Sequence, residues 1–326
     1  MVSWTARALD VLAAGAPTPL IDYPLPASGV RLLLKDESAQ PTGGLRHRHA
    51  RALFRQAVLD GLVGEGTTVV EATGGNAALA QAWFARRLGL PYIAVMPGKR
   101  GEARARPVEA LGGECRFVTP PPAIYDAARG IDGHFLDQFG RAAEHDLAEE
   151  LFGQVRPDWV VTGAGTGATS ATLGRWIRSH GGSCRVAVAD PDNSAYFPGW
   201  TLDVPDYGTG MPSRIEGIGR PRIEPGFRPD LIDLVIPVPD AASVAAARQI
   251  REVTGLPVGG SSGTALWAAL ELVGRMWVRG ETGTVVSLLG DAADRHLATY
   301  HDDAWAAEKG LDVGPYVEEL RRRTSV

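Results

Sequence analysis

No apolar run in this 326-residue chain approaches the roughly 18 residues that a membrane-spanning helix needs, so a bilayer is excluded as its surroundings. Only two cysteines are present, Cys115 and Cys184. They are far apart and each lies in a strand-like apolar context, so two reduced, buried thiols are expected rather than a disulfide or a nucleophile. No basic stripe exists to displace phosphate counterions. With 33 Lys and Arg against 38 Asp and Glu and a net charge of −5, nucleic acid is excluded as a partner. The opening M-V-S-W-T-A-R-A-L-D lacks the apolar core of a secretion signal, so a cytoplasmic protein is expected. Internal repeats and low-complexity tracts are absent. His47 and His49 sit two apart on a predicted helix and point about 200° away from each other. They cannot share one ion, and no metal site is expected.

What the chain does have is 44% hydrophobic residues and 40 glycines, enough for a substantial core in two domains or one large α/β unit. The stretch K-D-E-S-A-Q-P-T-G-G-L-R-H-R-H, Lys35 to His49, concentrates turn chemistry, a helix start and charge. Pro41, Gly43 and Gly44 break the chain after the apolar run Val30 to Leu34. Ala50, Leu53, Phe54, Ala57, Val58 and Leu62 then recur at three- and four-residue intervals and define one buried helical stripe. The first turn of that helix carries Arg46, His47, Arg48 and His49. Cations are poorly placed there, because the helix macrodipole is already positive and costs each about 0.3–1 kcal/mol. A nearby anion reverses the penalty; the alternative is a solvated basic turn.

Residues 1 to 29 read as a helix and a proline-rich approach. Thr67 to Glu71, Tyr92 to Met96 and Cys115 to Val118 read as strands. They alternate with helices over Ala77 to Leu88, Gly101 to Leu111 and Pro121 to Ala128, and the pattern blurs from Gly130 to Glu144. The second half repeats the alternation, with strands at Trp159 to Thr162, Arg185 to Ala189, Leu231 to Val238 and Thr284 to Leu289. Helices are expected at Thr169 to Arg178, Ala241 to Thr254 and Gly259 to about Val273. Such alternation predicts parallel sheets with crossover helices. The glycine- and proline-rich segment Asp192 to Pro229 reads as an irregular binding or lid loop.

Three loops carry chemistry. Gly163-Ala-Gly-Thr-Gly-Ala168 joins a strand to a helix, and its N–H groups, with the Thr166 and Thr169 hydroxyls, suit a phosphate. It is also G-x-G-x-x-A with Asp190 some way on at a strand end, so dinucleotide binding competes. Ala72-Thr-Gly-Gly-Asn76 offers N–H groups that suit a carboxylate. Gly259 to Thr264 reads as a helix start with Ser261 or Ser262 as N-cap. Arg214, Glu216, Arg220 and Arg222 form a charge cluster whose ordinary reading is a solvated network, with anion binding as the minority reading. Trp200, Trp267 and Trp305 read as core or interface residues.

P-T-G-G-L-R-H-R, E-A-T-G-G-N, G-A-G-T-G-A-T, G-I-G and G-G-S-S-G-T, in this order and spacing from about Thr18 to Thr299, resemble the cysteine synthase family. That group of pyridoxal-phosphate enzymes has fold type II and includes cystathionine β-synthase and the serine and threonine dehydratases. K-D-E-S-x-x-P-T-G, S-R-I-E-G-I-G-R-P-R and V-G-G-S-S-G-T are similar to its L-cysteine desulfhydrase branch. The resemblance displaces the dinucleotide reading. It implies two α/β domains with mainly parallel sheets, like tryptophan synthase β: a larger one over 1–40 and 146–326, a smaller one over 41–145, with the active cleft between them. It further implies a phosphate cradle at Gly163, Gly165, Thr166, Gly167 and Thr169, and Asn76 at the cofactor ring hydroxyl. Thr73, Gly74 and Gly75 would grip an amino-acid carboxylate, and Gly217, Ile218 and Gly219 would border the substrate. A homodimer acting on a small molecule is expected.

The departures from the family pattern bear most on function. The family's Schiff-base lysine falls at Arg46, and the serine two residues before it falls at Gly44. A guanidinium with a pKa above about 12 neither captures an aldehyde nor takes an α-proton at neutral pH. The serine of the family's T-S-G-N loop is Gly74, and the one at the ring nitrogen falls at Ala292, with Asp291 adjacent. A divergent enzyme without an internal Schiff base is therefore expected, with pyridoxal phosphate held non-covalently or not at all. Arg46 would hold an anion, and His47, His49, Asp291 and Glu216 are the candidate acid/base groups. The alternatives are β-elimination or replacement with non-covalent cofactor on cysteine or serine derivatives, and a non-catalytic pseudoenzyme partner.

Overall fold

The computed structural model describes residues 2–26, 29–141, 143–211 and 213–324. In chain order the elements begin with α1 (Trp4–Val11), β1 (Leu20–Tyr23), β2 (Val30–Asp36), α2 (Arg46–Leu59), β3 (Val69–Ala72) and α3 (Asn76–Leu88). They continue with β4 (Tyr92–Pro97), α4 (Glu102–Glu109), β5 (Glu114–Val118), α5 (Ile124–Arg129), β6 (His134–Phe135), α6 (Gln138–Arg141) and α7 (Leu147–Gln154). Then come β7 (Trp159–Gly163), α8 (Ala168–Ser179), β8 (Arg185–Pro191), α9 (Tyr196–Leu202), β9 (Leu234–Val238) and α10 (Asp240–Thr254). The chain closes with α11 (Gly260–Val278), β10 (Gly283–Leu289), α12 (Asp303–Glu308) and α13 (Gly314–Thr324).

These elements form two compact units, one of residues 1–16 and 46–146 and one of residues 17–45 and 147–326. The first unit carries a four-stranded sheet in the order β5-β4-β3-β6, with every pairing parallel. Parallel pairing follows from the helical crossovers that separate consecutive strands. Most of the stripe predicted for α2 is buried: Ala50, Leu53, Phe54, Ala57 and Val58 pack with Phe84, Leu88 and Met96 in one apolar cluster, whereas Leu62 lies past the helix end and is exposed. The N-terminal helix, expected in the larger domain, belongs to this unit instead. Ala8 and Leu12 join the same cluster and the Trp4 indole donates to the Leu88 carbonyl at 3.3 Å. The blurred stretch after Gly130 holds the two-residue strand β6 and the single-turn α6, too short for periodicity to register.

The second unit carries a six-stranded sheet in the order β1-β2-β10-β7-β8-β9. Only β1, at the edge, is antiparallel. Its four residues, L-I-D-Y, are bracketed by prolines and gave no strand signal. Strand β2 is buried along nearly its whole length, Lys35 included. The Lys35 ammonium is satisfied by Glu150, by the Thr18 carbonyl at 2.7 Å and by Gln154 Oε1 at 2.7 Å, which offsets the cost of burying a charge. Helices α10 and α11 cross where a Cβ on Gly263 would stand 1.9 Å from the Ser243 carbonyl oxygen, so only glycine permits this packing. The segment predicted as irregular, 192–229, contains the short helix α9. Cys115 is half-buried in β5 and Cys184 is buried just before β8; both are free thiols.

Candidate active site

The centre of the second unit's site is the turn from β7 into α8. Gly163 ends β7, and the main chain reverses through Ala164, Gly165, Thr166 and Gly167, all four buried. Gly167 is the N-cap of α8 with φ +83, and a Cβ there would lie 2.3 Å from the backbone carbon of Gly226. Both the left-handed conformation and the close approach demand glycine. The Thr166 hydroxyl accepts from the Ala168 N–H at 3.3 Å, and the Ser170 hydroxyl donates to the Gly167 carbonyl at 3.0 Å. Among the described residues, the backbone N–H groups of Gly165, Thr166 and Gly167 have no protein acceptor. Buried N–H groups without acceptors at a helix start form an anion receptor, because such groups need a partner and the macrodipole favours negative charge.

Neighbouring segments hold this loop in shape. The fully buried Tyr196 hydroxyl donates to the Gly165 carbonyl at 2.6 Å while its ring stacks on Phe227, centroids 4.1 Å apart. The Gly219 N–H donates to the Ala164 carbonyl at 2.8 Å, which ties the Gly217-Ile218-Gly219 turn to the cradle. Ile218 is buried and its Cγ2 would lie 2.6 Å from a Cβ on Gly163, while Gly217 is exposed. Asp190, singled out by the dinucleotide pattern, is buried and accepts from the Phe197 N–H at 2.8 Å at the start of α9. Burial pushes its carboxyl up to about 7.

Asp291, Ala292 and the Gly259–Ser262 turn lie together in the same unit. One Asp291 oxygen accepts from Arg295 at 2.9 Å and meets His296 Nε2 at 2.9 Å. Its other oxygen would lie 2.4 Å from a Cβ on Gly259. The carboxylate proposed as a catalytic base is thus an engaged acceptor that clips this turn. The expected serine N-cap is corrected too: Gly259 caps α11. Ser262 instead accepts from the Gly290 N–H at 3.0 Å and donates to the Asp291 carbonyl at 3.5 Å. Glu216 is exposed, and its N–H donates to the Tyr300 hydroxyl at 2.9 Å. The arginines grouped with it pair elsewhere: Arg220 and Arg222 with the buried Glu224, Arg214 with the buried Asp240.

In the first unit, Thr73 is buried and Gly74, Gly75 and Asn76 are half-buried at the start of α3, whose N-cap Gly75 makes no side-chain cap bond. Behind this loop Glu71 is fully buried and accepts from the N–H groups of Ala72 at 2.9 Å and Gln138 at 3.0 Å and from Gln81 at 3.3 Å. Burial outweighs these donors and pushes its carboxyl up to about 8. Periodicity could not find this network, since Glu71 lies inside an apolar strand that reads as core.

The start of α2 departs from expectation. Arg46 is half-buried, as a residue facing a ligand can be. His47 is buried against Trp83 and Phe84, ring centroids 4.8 and 4.6 Å apart. Desolvation, with help from Arg51 and Arg48, pushes it down to about 4, so it is a packed neutral ring rather than an acid/base group. His49 is buried and held well below its ordinary value for the same first reason. Arg48 and Arg51 share Asp146, at 3.1 and 2.6 Å, so the basic turn is an internal ion-pair network rather than a solvated face.

All three lysines of the chain are described. Lys35 is committed as above, Lys99 is exposed after β4, and Lys309 pairs with Glu308 at 2.9 Å. No group of metal-ligating side chains occurs among the described residues, and no helix there is long and apolar enough to cross a membrane.

The parallel α/β architecture, with a glycine-built strand-to-helix turn whose buried N–H groups suit an anion, defines the class of fold. The chain belongs to the pyridoxal-phosphate dependent enzyme family, whose model matches residues 11–291. It is 44% identical to the L-cysteine desulfhydrase Cds1 of Mycobacterium tuberculosis, over 96% of this chain and 92% of that protein. It is 28% identical to the cysteine synthase of Aquifex aeolicus, over 83% of each. Among solved structures, O-acetyl serine sulfhydrylase isoform 3 of Entamoeba histolytica superposes with a TM-score of 0.81 at 22% identity, covering 97% of this chain and 96% of that one. The cysteine synthase of the same organism gives 0.82 at 22%, covering 97% and 95%. These neighbours have the fold type II architecture that the motifs implied.

Proposed function

We propose that this chain is a lyase or transferase of the cysteine desulfhydrase and cysteine synthase kind, acting on an amino-acid-like anionic small molecule, and that it holds pyridoxal phosphate without a covalent bond. The observation that carries this reading is the cradle. Three buried N–H groups without a protein acceptor, on a loop shaped by Gly167, fit a phosphate dianion and nothing apolar. The non-covalent part of the reading is supported by the sequence alone. Arg46 stands where the family motif has lysine, and the chain's three lysines are either buried in an ion pair or on the surface.

Gly165, Thr166 and Gly167 would hold the phosphate. Pyridoxal phosphate, when bound, supplies an electron sink for bonds to the substrate α-carbon. The Thr73–Asn76 loop would take the substrate carboxylate. Arg46 supplies a fixed positive charge for an anionic group and, being permanently protonated, cannot move the α-proton. Asp291, tied to Arg295 and His296, orients the Gly259–Ser262 turn.

A visible absorption spectrum of the purified protein, with and without added pyridoxal phosphate, tests this for the natural chain and for Arg46→Lys. The natural chain should bind the cofactor reversibly and lose it on dialysis, and Arg46→Lys should retain it. Retention by the natural chain through dialysis and denaturation would show a covalent bond and end the proposal.

A further inference from the structure

We infer that Arg104 determines substrate specificity at the Thr73–Asn76 loop, by presenting a guanidinium to the carboxylate of an amino-acid substrate. The inference rests on the reading of that loop as the substrate-carboxylate site. Gly74 occupies the position that a serine holds in the resembling motif, so one hydroxyl donor is missing there. The space beside it is taken. A Cβ built on Gly74 would lie 2.9 Å from Pro97 Cδ and 3.4 Å from an Arg104 guanidinium nitrogen. A larger residue at 74 would collide with the Pro97 ring, so the guanidinium stands where a side chain of residue 74 would project.

Arg104 is fixed in that place from behind. Its two terminal nitrogens donate to the carbonyls of Pro97 and Lys99, both at 3.1 Å, and the guanidinium lies 5.5 Å from the Phe117 ring centroid. Carbonyls and a ring face orient the group without neutralising it. The acids of the same helix are engaged elsewhere: Glu102 and Glu109 both pair with Arg100, each at 2.8 Å. Among the described residues no carboxylate pairs with Arg104. A guanidinium has five N–H donors. Two carbonyl bonds leave donors over, on a half-buried cation with a preset orientation and no counter-ion, and this is the arrangement that binds a carboxylate with little ordering cost. It offers a charged donor to the carboxylate where the serine hydroxyl would offer an uncharged one. Loss of the serine is thereby a change of recognition chemistry rather than a loss of recognition.

Isothermal titration of the full chain without added cofactor tests this, using L-cysteine and cysteamine, the same amino-thiol without its carboxylate. The natural chain should prefer L-cysteine. Arg104→Gln should weaken L-cysteine by about tenfold or more, the equivalent of one charge-assisted hydrogen bond, and leave cysteamine unchanged. Arg104→Lys, which keeps the charge, should recover part of the loss and guards against a folding defect in the glutamine variant. Unchanged L-cysteine binding in Arg104→Gln, equal weakening of both ligands, or no preference in the natural chain would overturn the inference and leave the cradle reading standing. If the natural chain binds neither ligand, the amino-acid reading itself falls and takes this inference with it.

Discussion

The start of α2 in the first unit and the turn into α8 in the second are both helix starts, and they meet the positive end of the macrodipole in opposite ways. At α2 the chain places Arg46, His47, Arg48 and His49. It makes them tolerable by keeping His47 and His49 neutral through burial and by spending Asp146 on Arg48 and Arg51. At α8 it places no charge at all, only buried N–H groups without a protein acceptor among the described residues. The first start closes its charge on itself through burial and Asp146. The second is open to an anion. Charge density in a sequence therefore pointed to the less receptive of the two.

Removing Asp146 should break the closed side most severely. Asp146→Ala removes the carboxylate that Arg48 and Arg51 share, and a loss of about 3–5 kcal/mol is expected in urea denaturation. Gly167→Ala attacks the open side. The left-handed conformation and the contact with Gly226 should cost about 2–4 kcal/mol, and binding of inorganic phosphate, followed by titration calorimetry, should disappear.

The pH response should sharpen the contrast. His47 and His145 are pushed down to about 4 and about 3, first by burial, so the unfolded chain takes up protons below pH 6.5 that the folded chain refuses. Stability should fall as pH drops through that window, by about 1.4 kcal/mol per unit for each histidine. Glu71 acts oppositely. Its carboxyl, pushed up to about 8, keeps a proton that the unfolded chain loses above 4.5, so its contribution is lost as pH rises from 4.5 to 8. Denaturation midpoints measured from pH 4 to 9 should show Glu71→Gln removing the alkaline decline and His145→Gln reducing the acid one; equal curves for all three proteins would contradict both assignments. The smallest effect should come from Tyr196→Phe. Losing its bond to the Gly165 carbonyl should cost about 1 kcal/mol, together with a several-fold weakening of phosphate binding.

Most strands and helices were legible because a parallel α/β sheet writes strong signals. Buried β-branched runs such as V-V-E-A and the 3.6-residue stripe of α2 are set by local burial, and the ends moved by only a few residues. Strand β1 and strand β6 were not legible, since two to four residues exhibit no period and their pairing is supplied by distant partners. The glycine-rich turn from Gly163 to Gly167 was legible as a pattern, and the five ordered motifs pointed to the family.

The acid/base candidates fared otherwise, because a side chain's protonation and partners depend on what the fold packs around it. His47 became a ring among rings, Asp291 a clip for a turn, and Glu216 an exposed carboxylate apart from the arginines grouped with it. Arg104 gave no signal at all, for the role inferred for it comes from Gly74, thirty residues earlier in the chain, and from the lack of a pairing acid among the described residues. The sequence by itself determined the order of most elements, the glycines of the strand-to-helix turn and the family. Tertiary structure alone decided which charges are neutralised, which are left for a ligand, and which carboxyls keep their protons, because those properties are set by desolvation and by contacts between residues far apart in the chain.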